Sequence, residues 1–306
     1  MVNKLCHLSA KNKRAMFGWI CILIPIVGYI IFHVFPIAIS FVLQFCSMDY
    51  YDLSTMEWNN FANFKKAYTD ERLWKAFGNT LFFCCAQFVS LAIALVTSSA
   101  LHSKYKGTKF FEVVFYIPHI CSMVALSVMW KWMFNVDHGV INSFLVELFG
   151  EAARINWFGE EWAYRWAIFI VLVWYNPGYG IIMYKSAFTT INDTIYEAAK
   201  IDGANTLQRF FKITVPCLKS MTFYLFMLGI IAGMQTFDIA KLFAGAQHQG
   251  YAGPHNSGLT LSFLVYKQAF DTCDMGTAAV TSWFLFIITL LMSVISFKVR
   301  SRGGDN

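Results

Sequence analysis

Apolar residues run along this chain in long uninterrupted blocks, with polar residues gathered between them. Six stretches hold no Asp, Glu, Lys or Arg: 15–48, 76–103, 113–130, 166–184, 220–237 and 275–297. A helix needs roughly 20 apolar residues to cross a bilayer. Each stretch reaches that length, 113–130 and 220–237 with help from their flanks. Barrel strands would alternate with period two, and these runs do not. The pattern predicts an all-α integral membrane protein with six transmembrane helices at about 17–46, 75–102, 110–134, 165–187, 219–243 and 275–298. They form one membrane domain over 15–300, between a basic tail at 1–14 and a short tail at 301–306. The first run is too long for a cleaved signal peptide and shows no small-residue cleavage site. Pro25 and Pro36 interrupt it, Pro118-His119 falls in the third span, and residues 140–149 form a short amphipathic piece between spans three and four.

Charge orients these spans. Fifteen of the 24 basic residues fall on one side: Lys4, Lys11, Lys13 and Arg14; Lys104, Lys106 and Lys109; Lys185, Lys200, Arg209, Lys212 and Lys219; Lys298, Arg300 and Arg302. The positive-inside rule then puts both termini in the cytoplasm, with 187–219 inside and 245–272 outside. Because topology distributes the net charge of +6, it is not the footprint of a nucleic-acid surface, and no nucleic-acid partner is expected. Composition agrees: 57% of residues are hydrophobic and 14% charged, against about 25% charged in a soluble domain. The eight cysteines form no CxxC pair or metal-ligand spacing, and most sit inside apolar runs as small hydrophobes. Cys46 and Cys273 fall near the outer face, where a disulfide between them stays open.

The most informative polar stretch is 197–216, inside a cytoplasmic loop at about 188–218 between spans four and five. Thr194 and Glu197 have capping-box spacing, and Asp193 adds negative charge at the positive end of the helix dipole. Ala198 and Ala199 keep the helix thin, and Gly203 can take the left-handed conformation that ends it. Leu207, Phe210 and Phe211 would share one face of a second helix, and Pro216 marks the turn into span five. Taken alone, this is a docking element or a solvated helical hairpin.

Polar groups within spans are costly and should face protein or a water-filled path. Span four carries Trp174, Tyr175, Asn176, Pro177, Gly178, Tyr179 and Gly180; span five carries Gln235, Thr236 and Asp238 after Gly229 and Gly233. Tyr175, Asn176, Tyr179, Gly233, Gln235 and Thr236 are the candidates for a substrate pathway, the tyrosines offering flat faces for a sugar ring. Interhelical glue or a kink is the plainer role for each one singly, and His119 and Gln87 read as structural. There is no G-x-x-x-x-G-K-[ST] phosphate loop, so this chain is not an ATPase, and no nucleophile, acid–base pair or metal cluster stands out.

The spacing Glu197-Ala198-Ala199, Asp202-Gly203-Ala204, Phe210, Ile213 and Pro216 resembles the "EAA" loop of permeases of bacterial ATP-binding-cassette importers. Further matches are Phe61-Ala62-Asn63-Phe64 with Asn79-Thr80-Leu81, Gly139-Val140-Ile141-Asn142, and Gly253-Pro254 followed by Thr260-Leu261, Tyr266 and Ala269-Phe270. Together they cover nearly all of the chain and resemble the carbohydrate, maltose-type subfamily. Departures are Ala252 in the usual Gly-Gly-Pro, Asn192 after Ile191 in the usual Ile-Pro, and Leu207 in place of an aromatic.

The resemblance implies that Glu197, Ala198, Ala199, Asp202, Gly203, Ala204 and Phe210 dock on the ATPase, and that sugar contacts lie in spans four and five. It further implies a second homologous permease subunit, two ATP-binding subunits and an extracytoplasmic solute-binding protein, in a bacterial cytoplasmic membrane. This chain would bind no cofactor itself, ATP and Mg²⁺ being used by the partner ATPase. Three functions stay in play: a sugar importer permease, the same architecture carrying a polyol or glycerol phosphate, and a stand-alone secondary transporter. The last would call for inverted repeats and intramembrane ion-coupling charges, and neither is visible.

Overall fold

The computed structural model of the chain describes residues 10–48, 52–102, 107–245 and 251–302. Residues 1–9 of the basic tail with Cys6, Lys104 and Lys106, residues 246–250 of the loop 245–272, and residues 303–306 lie outside these. The helices in chain order are α1 (Ala10–Tyr29), α2 (Phe35–Leu43), α3 (Ala62–Thr69), α4 (Glu71–His102), α5 (Thr108–Ile120), α6 (Met123–Met133), α7 (Val140–Phe149), α8 (Glu161–Tyr175), α9 (Pro177–Phe188), α10 (Asp193–Ile201), α11 (Thr206–Arg209), α12 (Val215–Cys217), α13 (Lys219–Met234), α14 (Asp238–Ala244), α15 (Leu261–Tyr266) and α16 (Met275–Arg302). Strands β1 (Cys46–Ser47) and β2 (Glu57–Trp58) pair antiparallel.

Five helical stretches are long and apolar enough to cross a membrane: Met16–Leu43, Glu71–His102, Glu161–Phe188, Lys219–Ala244 and Met275–Ser301. The third expected span is not one helix. Helices α5 and α6 qualify only as a pair, and they are bent by 99°. Pro118 lacks the N–H that would bond four residues back, which loosens the last turn of α5. The backbone then turns extended at Cys121 and Ser122, with ψ of 147° and 129°.

The described residues fall into two compact units, one holding residues up to Ala67 with Gln268–Val280, the other Tyr68–Lys267 with Thr281 onward. In the first, α1, a widened π turn at Ile30–Val34 and α2 make one rod, none of whose most apolar window is buried. Asn63 pins α3 to the end of that rod: its Nδ2 donates to the carbonyls of Gln44 (3.1 Å) and Cys46 (2.8 Å). Asp274 accepts from the Thr277 N–H (3.0 Å), capping α16, and pairs with Lys66. Burial is the largest influence on this carboxyl and raises its pKa, but the bonds from Lys66 and Thr277 together hold it below its usual value. No disulfide joins Cys46 and Cys273.

The second unit is built around α4. Its buried Ala86, Ser90, Ala94 and Ser98 recur every fourth residue, a stripe of small side chains that lets neighbours approach closely. Helices α8, α9, α13 and α15 pack against it. A Cβ on Gly180 would lie 2.8 Å from the Ala94 Cβ, and one on Gly233 would lie 2.9 Å from the Cys84 Cα.

The polar residues that carried the family resemblance turn out to be ties between elements. Asn79 Nδ2 donates to the carbonyls of Asn256 and Leu259, both at 2.9 Å. Thr80 Oγ1 accepts from the Leu261 N–H (2.9 Å), and Thr260 Oγ1 donates to the Thr236 carbonyl (2.7 Å). Asn142, 1% exposed, donates to the carbonyls of Val136 and Ile155 and accepts from the Ile155 N–H and the Trp157 indole. An orphaned buried polar group costs about 1–3 kcal/mol. Asn142→Leu should therefore lower the melting temperature of the purified complex by roughly 5–10 °C, read by thermal denaturation; an unchanged melting curve would show that these bonds contribute nothing net.

Candidate functional site

Two regions stand out, one at the chain reversal between α9 and α13 and one where two apolar helices lose their regular backbone. In the first, α10 is capped by Asn192, whose Oδ1 accepts from the Thr194 N–H (3.0 Å). This corrects the expected Thr194–Glu197 box: the extended residue is Asn192, and Thr194 already lies inside the helix. Asn is at least as good a cap as Thr. The helix ends in a Schellman motif, the Gly203 N–H donating to Lys200 (3.1 Å) and the Ala204 N–H to Ala199 (2.9 Å). Gly203 has φ of +77°. A second cap, not expected, follows at once: Asn205 and Gln208 bond each other's backbone N–H at 2.8 Å.

The second arm is also not the single helix expected. A short α11 passes into a π turn at Phe210–Thr214, leaving Leu207 and Phe211 exposed and Phe210 half-buried. The two arms are joined by the hydroxyls of Tyr196 and Thr214, 3.0 Å apart. Burial raises the Tyr196 pKa. The loop meets the helix ends through His102, the last residue of α4, which stacks on Phe188 (4.5 Å between ring centroids) and lies 6.1 Å from the Tyr196 ring.

Glu197, Ala198, Asp202 and Gly203 are exposed on this reversal, and Ala199, Ala204 and Phe210 half-buried. Beside them are bare apolar side chains: Ile195 (45% exposed), Ile201 (87%), Leu207 (69%) and Phe211 (64%). Ile195 and Ile201 were missed in the sequence reading. Their signal was available as large aliphatics in an otherwise polar stretch.

The second region forms where α8 gives way to α9. The Asn176 N–H still bonds the Leu172 carbonyl (3.1 Å), but Pro177 leaves the next carbonyl without its helical donor. Gly178 lets α9 press on α5, since a Cβ there would lie 2.8 Å from the Phe115 carbonyl oxygen. Tyr175 is the meeting point. Its ring lies 5.1 Å from that of His119, and its hydroxyl donates to the His119 carbonyl (3.5 Å). Cys121 follows His119 by two residues, at the α5–α6 break, and α14, beyond the break that ends α13, packs against α6 and α8. The interruptions at α5–α6 and α8–α9 thus meet at one residue. Irregular backbone at membrane depth is tolerated where it is buried in protein or lines a water-filled cavity.

Of the expected pathway residues, the structure groups Tyr175 and Tyr179 around His119, Tyr179 at 5.8 Å ring to ring, with Asn176 beside them in the chain. Asn176 Nδ2 and His119 Nδ1 are buried without a hydrogen-bond partner. The other three have local roles. Gly233 is a packing glycine against Cys84, Thr236 donates back to the Gly233 carbonyl (2.9 Å), and Gln235 is exposed. His119, read as structural, belongs to the group. Among the described residues no cluster of His, Cys, Asp or Glu could hold a metal ion.

Apolar helices long enough to cross a bilayer, several of them broken, place the chain in the class of multi-pass membrane proteins. Residues 88–300 match the family described as the inner membrane component of binding-protein-dependent transport systems, and the chain belongs to that family. It is a multi-pass inner-membrane permease of ABC type. It is 32% identical over 294 residues to the Probable ABC transporter permease protein YesP of Bacillus subtilis, covering 95% of this chain and 92% of that one. It is 30% identical to the lactose transport system permease protein LacF of Rhizobium radiobacter (94% of each chain) and 26% identical to the sn-glycerol-3-phosphate transport system permease protein UgpA of Escherichia coli (88% of each). The fold also matches a chain of the solved bacterial alginate ABC transporter in complex with alginate pentasaccharide-bound periplasmic protein, with a TM-score of 0.78, 18% identity and 94% of each chain covered.

Proposed function

We propose that this chain forms half of the translocation pathway of an ATP-driven importer for a sugar or oligosaccharide. It pairs with a second, related permease and receives solute from an extracytoplasmic binding protein. It couples to two ATPase subunits, which use ATP and Mg²⁺, through the loop at 188–218. The bare Ile195, Ile201, Leu207 and Phe211 on a rigidly capped reversal carry the coupling part of this reading, because four large apolar side chains in water call for a partner surface. The meeting of the α5–α6 and α8–α9 breaks at Tyr175 supports the pathway.

The sugar class rests on relatives named for lactose transport and on aromatic faces beside partnerless polar atoms at His119 and Asn176. Relatives named for sn-glycerol-3-phosphate keep a phosphorylated solute as the alternative. The absence of Lys and Arg from residues 166–184 and 220–237 disfavours it, since a phosphorylated solute calls for fixed cations along its path.

The test is uptake against sugar concentration by cells carrying single variants. One lost hydrogen bond is worth about 0.5–1.5 kcal/mol, so Asn176→Leu should weaken transport several-fold, up to roughly tenfold. Tyr179→Ala should weaken it further by removing a stacking face. Basal ATPase activity and assembly should survive both. Unchanged kinetics in both variants would put the pathway elsewhere, and loss of assembly would make these residues packing against the partner permease.

A further inference from the structure

At the end of the bundle opposite the 188–218 reversal, the first turns of α4 and α8 enclose a cavity of about 360 Å³. Its walls include Trp74, Trp162 and Trp166 together with Lys75 and Arg165. It lies on different turns of α4 and α8 from the group around Tyr175, and nothing in the transport reading uses it.

Lys75 and Arg165 line this cavity, and no acidic side chain does. Glu161 is shared by two cations, Oε1 lying 2.8 Å from Lys75 Nζ and 2.9 Å from Arg165 Nη2. Glu161 stands behind the two cations and Glu160 is held on the Trp162 indole, so both carboxylates lie outside the lining while Lys75 and Arg165 form part of it. Arg165 Nε is buried without a hydrogen-bond partner. A guanidinium edge is shaped for two oxygens of one phosphate or carboxylate.

The three indoles are about half exposed: Trp74 52%, Trp162 52% and Trp166 45%. Two have committed N–H groups, Trp74 to the Tyr68 carbonyl (3.1 Å) and Trp162 to Glu160 (2.5 Å). They therefore offer the cavity ring surface more than hydrogen bonds. Tryptophan gathers at the level of lipid headgroups, where a guanidinium and an ammonium can meet a headgroup phosphate. Gly78 keeps the wall open, with nothing within 4 Å of where its Cβ would be.

We propose that this cavity binds the phosphate of an anionic membrane phospholipid, Arg165 and Lys75 contacting the phosphate while the indoles flank the glycerol and upper acyl carbons. This rests on the membrane placement of the chain and not on which solute it carries. The same phosphate chemistry is presented by soluble glycerol phosphate, so the experiment separates the two.

The complex of the full chain with its partners is purified in mild detergent, and retained phospholipids are extracted and quantified. Wild type should retain phosphatidylglycerol in preference to phosphatidylcholine. The double variant K75Q/R165Q should lose roughly tenfold or more of the retained phosphatidylglycerol. E161Q, which removes the neutralising carboxylate, should raise retention above wild type, an increase that damaged folding would not produce. In wild-type complex reconstituted in nanodiscs, brominated phosphatidylglycerol should quench tryptophan fluorescence more than brominated phosphatidylcholine at equal content. Equal retention and quenching by the two lipids would overturn the proposal, leaving an ordinary interfacial tryptophan belt. So would wild-type retention in K75Q/R165Q. Displacement of the lipid by submillimolar sn-glycerol 3-phosphate would assign the site to a soluble ligand instead.

Discussion

Replacing Gly203 with proline should abolish solute uptake while the chain still inserts and pairs with its partner permease. The reason is local. Gly203 has φ of +77°, and its N–H donates to the Lys200 carbonyl at 3.1 Å. Proline holds φ near −65° and has no N–H, so the Schellman motif cannot close and α10 loses its fixed angle to α11. No atom lies within 4 Å of where a Cβ at 203 would be, so the constraint is backbone conformation and not space. A graded series follows: Gly203→Asn should be mild, Gly203→Ala should cost on the order of 1 kcal/mol, and Gly203→Pro should be complete. Co-purification of the ATPase and stimulation of its activity by binding protein are the readouts. Wild-type values for the proline variant would show that α10 does not dock.

The second large effect is expected at Gly178. A Cβ there would lie 2.8 Å from the Phe115 carbonyl oxygen, 3.3 Å from the Tyr116 Cα and 3.2 Å from the His119 Cβ. Two of these atoms are backbone, so α5 and α9 must separate. Overpacking costs typically about 1–3 kcal/mol, and a leucine at a backbone contact belongs at the upper end or beyond. Gly178→Leu should therefore remove most assembled complex from the membrane and abolish uptake. The matched control is Gly28→Ala in α1, where nothing lies within 4 Å and helix propensity improves; it should leave yield and uptake unchanged. Equal yields for Gly178→Leu and wild type would mean that α5 and α9 can part without loss.

These two glycines mark what could and could not be read beforehand. The apolar blocks predicted the helices because lipid-facing helices must be apolar over their whole length. Gly203 was legible as a helix end because its conformational requirement is local, as was the short helix at 140–149. Thr194 misled because three good capping residues, Asn192, Asp193 and Thr194, stand in a row, and only the backbone decides that Asn192 is the extended one. The break at Gln235–Phe237 has no proline and left no local sign, and Pro118 pointed only approximately to the 99° bend after it. Gly178 and Gly180 were noted as loosening span four. Their stronger role, allowing contact with α5 and α4, depends on partners more than 50 residues away in the chain. His119 was set aside as structural because nothing in its sequence neighbourhood reveals that Tyr175 and Tyr179 flank it.

Helix α4 touches the chain's two ends of interest with a single unbroken rod. At one end His102 stacks on Phe188 with the Tyr196 ring of the reversal 6.1 Å away, and at the other Asn79 and Thr80 hold the backbone at residues 256–261. The 23 residues between Asn79 and His102 span about 34 Å at 1.5 Å per residue, without a proline. Were a partner to dock on α10 as proposed, its stroke would have in α4 a single piston to the far segment, with no flexible linkage along the way to absorb it.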